Sequence, residues 1–275
     1  MPDKRHSEMF SLDGRVAVVT GGYGVLGGSI ADGLVAAGAR VVILGRNAER
    51  AQGKADEFKR SGAEASILTA DVLEEGQLRR ACDELIEREG HVDILVNAAG
   101  GNVARARTDR VPVFDLPFDA FDDVVRLNLH GTVYPSLVFG EAMARQGKGS
   151  IVSISSMAAT RALSGVMGYS VAKSAIDNFT RWMAVDVARR FGEGMRVNAI
   201  APGFFVADQN RAVLLNEDGS LTDRGRSIVD MTPMGRFGEP SELQGTVVWL
   251  CSDAASFVTG TVIPVDGGFI ADSGV

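Results

Sequence analysis

Tyr169 and Lys173 stand four positions apart in a segment whose apolar periodicity predicts a helix. Residues at that spacing lie on one face of a helix, so the ammonium can approach the phenol. A tyrosine with an ordinary pKa of about 10 is not a base at neutral pH unless a nearby cation stabilises the phenolate. The pair therefore predicts a tyrosine that exchanges a proton with a substrate, assisted by Lys173. A coincidental pairing is the alternative.

Ser156 follows the fifth predicted strand, at the sheet edge where open α/β folds bind ligands. Its hydroxyl is expected to hydrogen-bond and polarise a carbonyl group held beside Tyr169. The alternative is a serine that serves only the turn in which it lies.

The segment 20–27 reads Thr-Gly-Gly-Tyr-Gly-Val-Leu-Gly and joins the first predicted strand to the first predicted helix. Glycine at such a junction lets a diphosphate approach the backbone N–H groups at the start of the helix. Glycine spacing alone is a weak signal in a chain with 33 glycines, so the prediction depends on this strand-to-helix context. It predicts a dinucleotide site whose first contacts are Gly21, Tyr23, Gly24, Val25, Leu26 and Gly27.

Gly45 ends the second predicted strand, where an acidic residue would select a cofactor with an unphosphorylated adenosine ribose. Arg46 follows immediately and Asn47 comes next, so a cation occupies the position in which a 2′-phosphate would lie. The sequence therefore favours NADP(H). NAD(H) is the alternative if Arg46 is only a solvated loop residue.

Short β-branched segments alternate with segments of helical periodicity along the chain. The strands are nearly continuous apolar runs, as expected for a sheet covered by helices on both faces. We predict an N-terminal tail over residues 1–11 and a single Rossmann-type, doubly wound α/β domain over residues 12–275, with a seven-stranded parallel sheet. The predicted strands are 16–20, 40–44, 65–70, 92–96, 150–155, 195–200 and 261–265. The predicted helices are 26–37, 48–61, 75–89, 118–146, 169–191 and 240–251.

Residues 203–238 form the longest segment without a clear helix or strand pattern. Loops of this length in a compact α/β domain are usually functional, and we predict a substrate lid here. The alternative is an ordered insertion with a short helix or two.

The chain carries 35 acidic and 28 basic residues and a net charge of −7, which predicts no nucleic-acid partner. No apolar run reaches the roughly 18 residues of a membrane helix, so no membrane partner is expected. The first residues lack the apolar core of a secretory signal, and a cytoplasmic location is expected. Two cysteines and three scattered histidines predict neither a disulfide framework nor a metal site.

Together these residues resemble the short-chain dehydrogenase/reductase family, from about residue 12 to the C-terminus. Ser156 lies thirteen residues before Tyr169, and Asn128 lies twenty-eight before Ser156, which are spacings of that family. The segment 97–100, Asn-Ala-Ala-Gly, is similar to the family's Asn-Ala-Gly motif after the fourth strand. The resemblance implies an NAD(P)-dependent oxidoreductase that interconverts a ketone and an alcohol.

The resemblance also implies a role for each matching residue. Tyr169 is the general acid/base, Ser156 orients the substrate oxygen, and Lys173 lowers the pKa of the tyrosine and holds the nicotinamide ribose. Asn128 positions a water between Lys173 and solvent. The further implied cofactor contacts are Asp71, Val72, Asn97, Ala98, Ala99, Gly100, Tyr169, Lys173, Pro202, Gly203 and Phe205.

Two positions depart from the family pattern. Val25 replaces the usual second glycine of the turn, and its branched side chain crowds a diphosphate or changes the turn. Ala207 stands where a threonine commonly contacts the carboxamide. These departures leave open a cofactor-binding regulator without catalysis, against which the complete set of Ser156, Tyr169 and Lys173 argues.

Several segments, among them the turn with Val25, residues 99–102 and the ending at 272–275, are similar to the D-mannonate oxidoreductases of this family, which reduce D-fructuronate to D-mannonate. A sugar acid needs a cation for its carboxylate and polar groups for its hydroxyls. The alternative is reduction of another carbonyl, as in a gluconate 5-dehydrogenase or a 3-oxoacyl reductase. The candidate substrate residues are Arg161, Asn210 and Arg211, followed by Gln209, Arg105 and Arg107.

The segments 118–146 and 169–191 are rich in apolar side chains, including Met143, Phe179 and Trp182. They offer more apolar surface than one sheet face needs, and resembling proteins pair such helices into dimers and tetramers. We expect a homotetramer or homodimer that acts on a small molecule. The alternative is that these side chains form only the internal core.

Overall fold

Seven parallel strands form one sheet in the computed structural model, which describes residues 8–109, 111–208 and 210–274. The strands are β1 (Val16–Thr20), β2 (Arg40–Gly45), β3 (Ala65–Thr69), β4 (Ile94–Asn97), β5 (Gly149–Ile154), β6 (Met195–Pro202) and β7 (Val262–Val265). Their order across the sheet is β3-β2-β1-β4-β5-β6-β7, and each neighbouring pair is parallel. This arrangement confirms the predicted doubly wound domain.

Both faces of the sheet are covered. Alternate residues of each strand point to opposite sides, and each side is buried in its own cluster. In β1, Val16 and Val18 belong to one buried cluster, whereas Ala17 and Val19 belong to the other. Every residue of β1, β4, β5 and β6 is buried. Strands buried on both sides read as continuous apolar runs, which is why the sequence pattern located them.

The helices lie on the two faces of the sheet and complete the two clusters. They are α1 (Val25–Ala36), α2 (Ala48–Arg60), α3 (Glu75–Glu89), α4 (Phe118–Val125), α5 (Gly131–Gln146), α6 (Met167–Phe191), α7 (Arg211–Leu214), α8 (Asp223–Asp230) and α9 (Gln244–Cys251). Leu85, Phe139 and Met183 anchor α3, α5 and α6 in one cluster, and Leu34 and Leu250 anchor α1 and α9 in the other. No helix in the described part of the protein has the length and apolarity needed to cross a membrane.

The single helix predicted over residues 118–146 is divided in the structure. A π-helical turn at Arg126–His130 separates α4 from α5. Asn128 lies in this turn, fully buried, and its Nδ2 donates to the Val124 carbonyl at 2.8 Å. Such turns are often found at functional sites. The interruption accompanies the hydrogen bonds of the buried Asn128 side chain. Apolar periodicity did not reveal it, because a pattern of apolar residues does not register such bonds.

The strand order reverses beside β1, with β2 and β3 on one side and β4 to β7 on the other. Open α/β sheets bind ligands in the crevice at such a switch point, outside the carboxyl ends of the strands. Thr20 lies at this place, and its Oγ1 accepts the N–H groups of Ala98 at 3.1 Å and Ala99 at 3.0 Å. These bonds hold the segment after β4 against the glycine turn after β1.

Residues 203–238, predicted as a lid, contain the short helices α7 and α8. A bridge joins Phe205 to Gly238, and Thr222 caps α8 by accepting the Gly225 N–H at 3.0 Å. The short helices match the ordered insertion considered as the alternative. That the segment acts as a lid stays a prediction.

Candidate active site

A cavity of about 400 Å³ lies at the switch point of the sheet. The segments that follow β1, β2, β3 and β4 line it, together with two side chains of α6. The sequence-predicted residues in its wall are Gly21, Tyr23, Gly24, Val25, Leu26, Gly27, Gly45, Arg46, Asp71, Val72, Ala98, Ala99, Gly100, Tyr169 and Lys173. Ala207, which the sequence marked as a departure from the family pattern, also lines the cavity, and the lining residues that the sequence did not reveal are Arg50, Ala70, Gly101, Leu127, Ile154 and Asp208.

The glycine turn after β1 exposes backbone to this cavity. Gly21 has a φ of +65°, which favours glycine, and its N–H donates to the Leu44 carbonyl at 2.8 Å. A Cβ on Gly27 would lie 2.5 Å from the Gly21 carbonyl oxygen, so only glycine lets α1 approach the turn this closely. The first turn of α1, which begins at Val25, has no acidic residue, and its positive dipole end remains available to a diphosphate. The turn therefore fits a dinucleotide although Val25 replaces a glycine.

The end of β2 forms the part of the cavity nearest Arg46. A Cβ on Gly45 would lie 2.8 Å from the Tyr23 hydroxyl, so the phenol fills the space an acidic side chain would need. The Arg46 side chain is largely exposed and lies 3.5 Å from Asp71. Arg50 places its guanidinium 5.0 Å from the centre of the Tyr23 ring. Two cations therefore flank this end, where a 2′-phosphate would bind.

Tyr169, Lys173 and Ser156 meet at the carboxyl end of β5. Tyr169 lies in the first turn of α6, and Lys173 Nζ is 5.3 Å from the centre of its ring. The ammonium donates to the Ile154 carbonyl at 2.6 Å. Ser156 is hydrogen-bonded to Tyr169, and its Oγ accepts the Ala158 N–H at 3.1 Å. The structure thus brings together the three side chains that the sequence singled out.

Burial dominates the proton affinities of this cluster. It raises the pKa of Tyr169 above its ordinary value, and the hydrogen bond from Ser156 lowers that pKa only in part. Burial also lowers the pKa of Lys173 to about 8, against an opposing effect of the Asp177 carboxylate. The shift in the pKa of Tyr169 is opposite to the predicted one, because removal of the phenolate from water is the dominant effect. The phenol is therefore protonated at neutral pH.

Asn128 lies beside this cluster and is held by backbone groups. Its Oδ1 accepts the Gly101 N–H at 3.1 Å, and its Nδ2 donates to the Gly101 carbonyl at 2.7 Å. A Cβ on Gly100 would lie 2.8 Å from Asn128 Oδ1 and 3.8 Å from Lys173 Nζ. The missing side chain of Gly100 therefore leaves space between Asn128 and Lys173.

A second cavity, of about 370 Å³, adjoins the first. Tyr169 lines both cavities, and Ser156 lines the second. Two arginines, Arg107 and Arg224, belong to its wall, which contains no aspartate or glutamate among the described residues. This cavity can hold a small polar molecule against the phenol.

Other residues that were predicted to contact the cofactor lie outside the wall of the first cavity. Asn47 caps α2 by accepting a backbone N–H at 2.9 Å. Asn97 donates to the hydroxyls of Ser136 on α5 and Ser153 on β5. Pro202, Gly203 and Phe205 line the second cavity and are absent from the wall of the first.

Two of the predicted substrate arginines do not reach the second cavity. Arg161 donates to the Ile270 carbonyl at 2.7 Å and also to that of Asp272, so it fastens the C-terminal segment. Arg211 is exposed at the start of α7, outside the cavity wall. Gln209 lies outside the described residues.

The remaining candidates divide between cavity and surface. Asn210 lines the second cavity, but its side chain bonds the Ala207 N–H at 2.7 Å and the Phe205 carbonyl at 2.9 Å and so shapes the loop. Arg105 forms ion pairs of 2.8 and 2.6 Å with two aspartates of α4. Arg107 lines the cavity. Spacing gave no signal for Arg224, which comes from the predicted lid.

Comparison with known proteins agrees with this geometry. A family model described as "Enoyl-(Acyl carrier protein) reductase" matches residues 24–270. The chain is 43% identical to an uncharacterized oxidoreductase, UxuB, of Bacillus subtilis over 275 residues, covering 96% of this chain and 98% of the relative.

Two solved structures are similar over nearly the full chain. One is a proposed D-mannonate oxidoreductase of Haemophilus influenzae with bound NAD, with a TM-score of 0.89, 39% identity and coverage of 98% of this chain and 100% of the other. The other is a gluconate 5-dehydrogenase of Burkholderia cenocepacia in complex with NADP and tartrate, with a TM-score of 0.87, 34% identity and coverage of 97% and 99%.

The buried Lys173 makes the stability of the protein depend on pH. Its pKa is about 8 when folded and 10.5 when unfolded, so the unfolded state binds more protons between these values. The contribution of Lys173 to wild-type stability therefore rises with pH in this window. We expect the free energy of unfolding of Lys173→Met, minus that of the wild type, to fall by about 3 kcal/mol from pH 7.5 to 10.5 in urea titrations.

The control for this measurement is Lys59→Met, because Lys59 is exposed near the end of α2. Its difference from the wild type is expected to stay constant over the same range. A constant difference for Lys173→Met as well would contradict the assignment of a buried, destabilised ammonium.

Proposed function

Because the chain belongs to the short-chain dehydrogenase/reductase family and is an NAD(P)-dependent oxidoreductase, we propose that it interconverts a ketone and a secondary alcohol on a sugar acid, with D-fructuronate and D-mannonate as the pair. The observation that carries the proposal is the position of Tyr169, which lines both cavities and is hydrogen-bonded to Ser156. A proton donor at this border reaches a carbonyl oxygen in the second cavity while the dinucleotide occupies the first.

Tyr169 and Ser156 act on the oxygen of the substrate. A nicotinamide bound in the first cavity supplies or accepts the hydride. Burial keeps the Tyr169 hydroxyl protonated, so it can donate its proton to the oxygen of a ketone that is being reduced. Ser156 hydrogen-bonds the same oxygen and stabilises the negative charge that develops there.

Lys173 and Asn128 support the proton transfer. The Lys173 pKa of about 8 leaves most of the ammonium charged at neutral pH, and its field stabilises the phenolate that remains after Tyr169 has given up its proton. The space beside Gly100 joins Lys173 to Asn128. We include in the proposal that Asn128 positions a water there, through which the proton of Lys173 exchanges with solvent.

A sugar acid suits the second cavity because two arginines and several polar groups line it, and no carboxylate among the described residues opposes an anion. The similarity to the Haemophilus influenzae protein supports D-mannonate. A gluconate ketone is the second candidate, favoured by the similarity to the gluconate 5-dehydrogenase. A 3-oxoacyl group on an acidic carrier protein fits less well, because a net charge of −7 repels such a carrier.

NADP(H) is the cofactor that we propose this protein prefers over NAD(H). Arg46 and Arg50 flank the end of β2, and the Tyr23 phenol occupies the space beside Gly45 that an acidic selector would fill. Asp71 lies 3.5 Å from Arg46 and neutralises it only in part, because the Arg46 side chain is largely exposed.

A homotetramer or homodimer is also part of the proposal. Of the predicted apolar side chains, Met143 is internal and Phe179 packs against the core. Three large apolar side chains are each more than half exposed and are left uncovered by the described residues: Trp182 and Val185 of α6 and Leu137 of α5. A second copy would cover this surface.

Tyr169→Phe tests the proton donor. Removal of the hydroxyl is expected to lower kcat for D-fructuronate reduction at least about 100-fold, measured by NADPH oxidation. Cofactor affinity, measured by fluorescence titration, is expected to stay near that of the wild type, because the ring remains in the wall of the first cavity. Turnover retained by this variant would refute the assignment.

Arg46→Ser tests the cofactor preference. We expect kcat/KM for NADPH to fall about 10- to 100-fold while that for NADH stays within twofold, because only the phosphate loses a charged hydrogen bond. Arg60→Ser, at the other end of α2, is the control and leaves both values unchanged. A wild-type enzyme that prefers NADH would overturn the proposal.

Trp182→Glu tests the assembly. Light scattering is expected to give two or four times 29.1 kDa for the wild type and 29.1 kDa for the variant, because a buried carboxylate opposes association. Phe257→Glu, at an exposed phenylalanine elsewhere on the surface, serves as the control. A wild type of 29.1 kDa would show that the surface is not an interface between copies.

A further inference from the structure

Arg224 is the second residue of α8 and extends from the predicted lid to the wall of the second cavity. Its Nη1 donates to the Ser164 hydroxyl at 2.8 Å, and its Nη2 donates to the Ser164 carbonyl at 3.0 Å. These bonds use two of the five N–H donors of the guanidinium. They fix the position of the charge without neutralising it, since serine carries none.

Arg107, the other arginine of this cavity, differs in its electrostatic environment. Its Nε and Nη2 bind the two carboxylate oxygens of Asp109 at 3.0 and 2.6 Å. This bidentate pair cancels its charge locally. No carboxylate of the described residues lies within ion-pair distance of Arg224, and none lines the cavity. The unneutralised cation of this wall is therefore Arg224.

The two arginines are held on one continuous wall by the loop after β5. The Gly165 carbonyl accepts the Thr108 N–H at 3.2 Å, and a Cβ on Gly165 would lie 2.9 Å from the Asp109 Cβ. Ser164, the neighbour of Gly165, receives the bonds from Arg224. The loop thus positions Arg224 relative to Arg107 before any substrate binds, which reduces the cost of ordering the guanidinium on binding.

We propose that Arg224 binds the carboxylate of the substrate and thereby selects acids over neutral carbonyl compounds. The guanidinium offers donors in the planar arrangement that matches a carboxylate. This role rests on the proposed function in one respect only, that the molecule reduced in the second cavity is a sugar acid. It replaces Arg161 and Arg211, whose positions lie outside this cavity.

The test compares Arg224→Met with the wild type on an acid and its neutral counterpart, D-fructuronate and D-fructose, with NADPH. Loss of a charged hydrogen bond is expected to raise KM for D-fructuronate about 10- to 100-fold. The value of kcat/KM for D-fructose is expected to stay within twofold, because that ketose has no carboxylate to lose. Arg224→Lys is expected to restore part of the loss, since it retains the charge without the planar donor pair.

Arg226→Met is the matched control, because Arg226 is exposed on the same helix and outside the cavity wall. It is expected to behave as the wild type toward both substrates. If Arg224→Met loses activity equally on the acid and the ketose, or keeps the wild-type ratio between them, the proposal is overturned.

A second measurement separates this proposal from the proposed function. If the wild type reduces no hexuronate, the function as proposed fails, and binding of D-gluconate to the enzyme with NADP, measured by calorimetry, then tests Arg224. Binding by the wild type that weakens at least 10-fold in Arg224→Met supports the assignment. Equal binding by both proteins, or none by the wild type, overturns it.

Discussion

The buried ammonium of Lys173 is the constraint on which the site depends, because a charge removed from water must be matched by acceptors. Its Nζ donates to the Ile154 carbonyl at the end of β5. One turn further along α6, Asp177 accepts a hydrogen bond from Ser155, the residue after Ile154. These contacts attach α6 to the carboxyl end of β5. Tyr169 lies one turn before Lys173, so the same attachment fixes the phenol at the border of the two cavities.

Burial shifts the pKa values of Tyr169 and Lys173 in opposite directions. It raises the pKa of Tyr169 and lowers that of Lys173, because each loses the water that would stabilise its ionised form. In the proposed reaction, the phenol therefore keeps its proton until a substrate oxygen accepts it. A phenolate formed at that moment faces the ammonium in a medium of low dielectric constant, where their attraction is strong. In that reaction, the burial of the site links proton release to the presence of a substrate.

The walls of both cavities come from segments that are distant in sequence. Arg50 reaches the dinucleotide cavity from α2, and Arg224 reaches the second cavity from α8. Each wall is assembled at the carboxyl ends of the strands, where the loops that follow the strands meet. Neighbouring groups then decide whether the charge of an arginine in the wall is balanced. The Asp109 carboxylate balances the charge of Arg107, whereas Ser164 carries no charge that would balance Arg224.

The sequence by itself determined the sheet, the glycine turn and the pair of Tyr169 and Lys173, because each depends on short-range periodicity or on residues within one turn of helix. Which arginines line the second cavity was decided only by the tertiary structure. Arg161 is turned to the C-terminal segment, while Arg224 extends from α8 to the cavity. The π-helical turn at Asn128 and the raised pKa of Tyr169 were likewise hidden. The burial of a side chain and the direction in which it points arise from contacts between remote segments, and spacing along the sequence does not encode them.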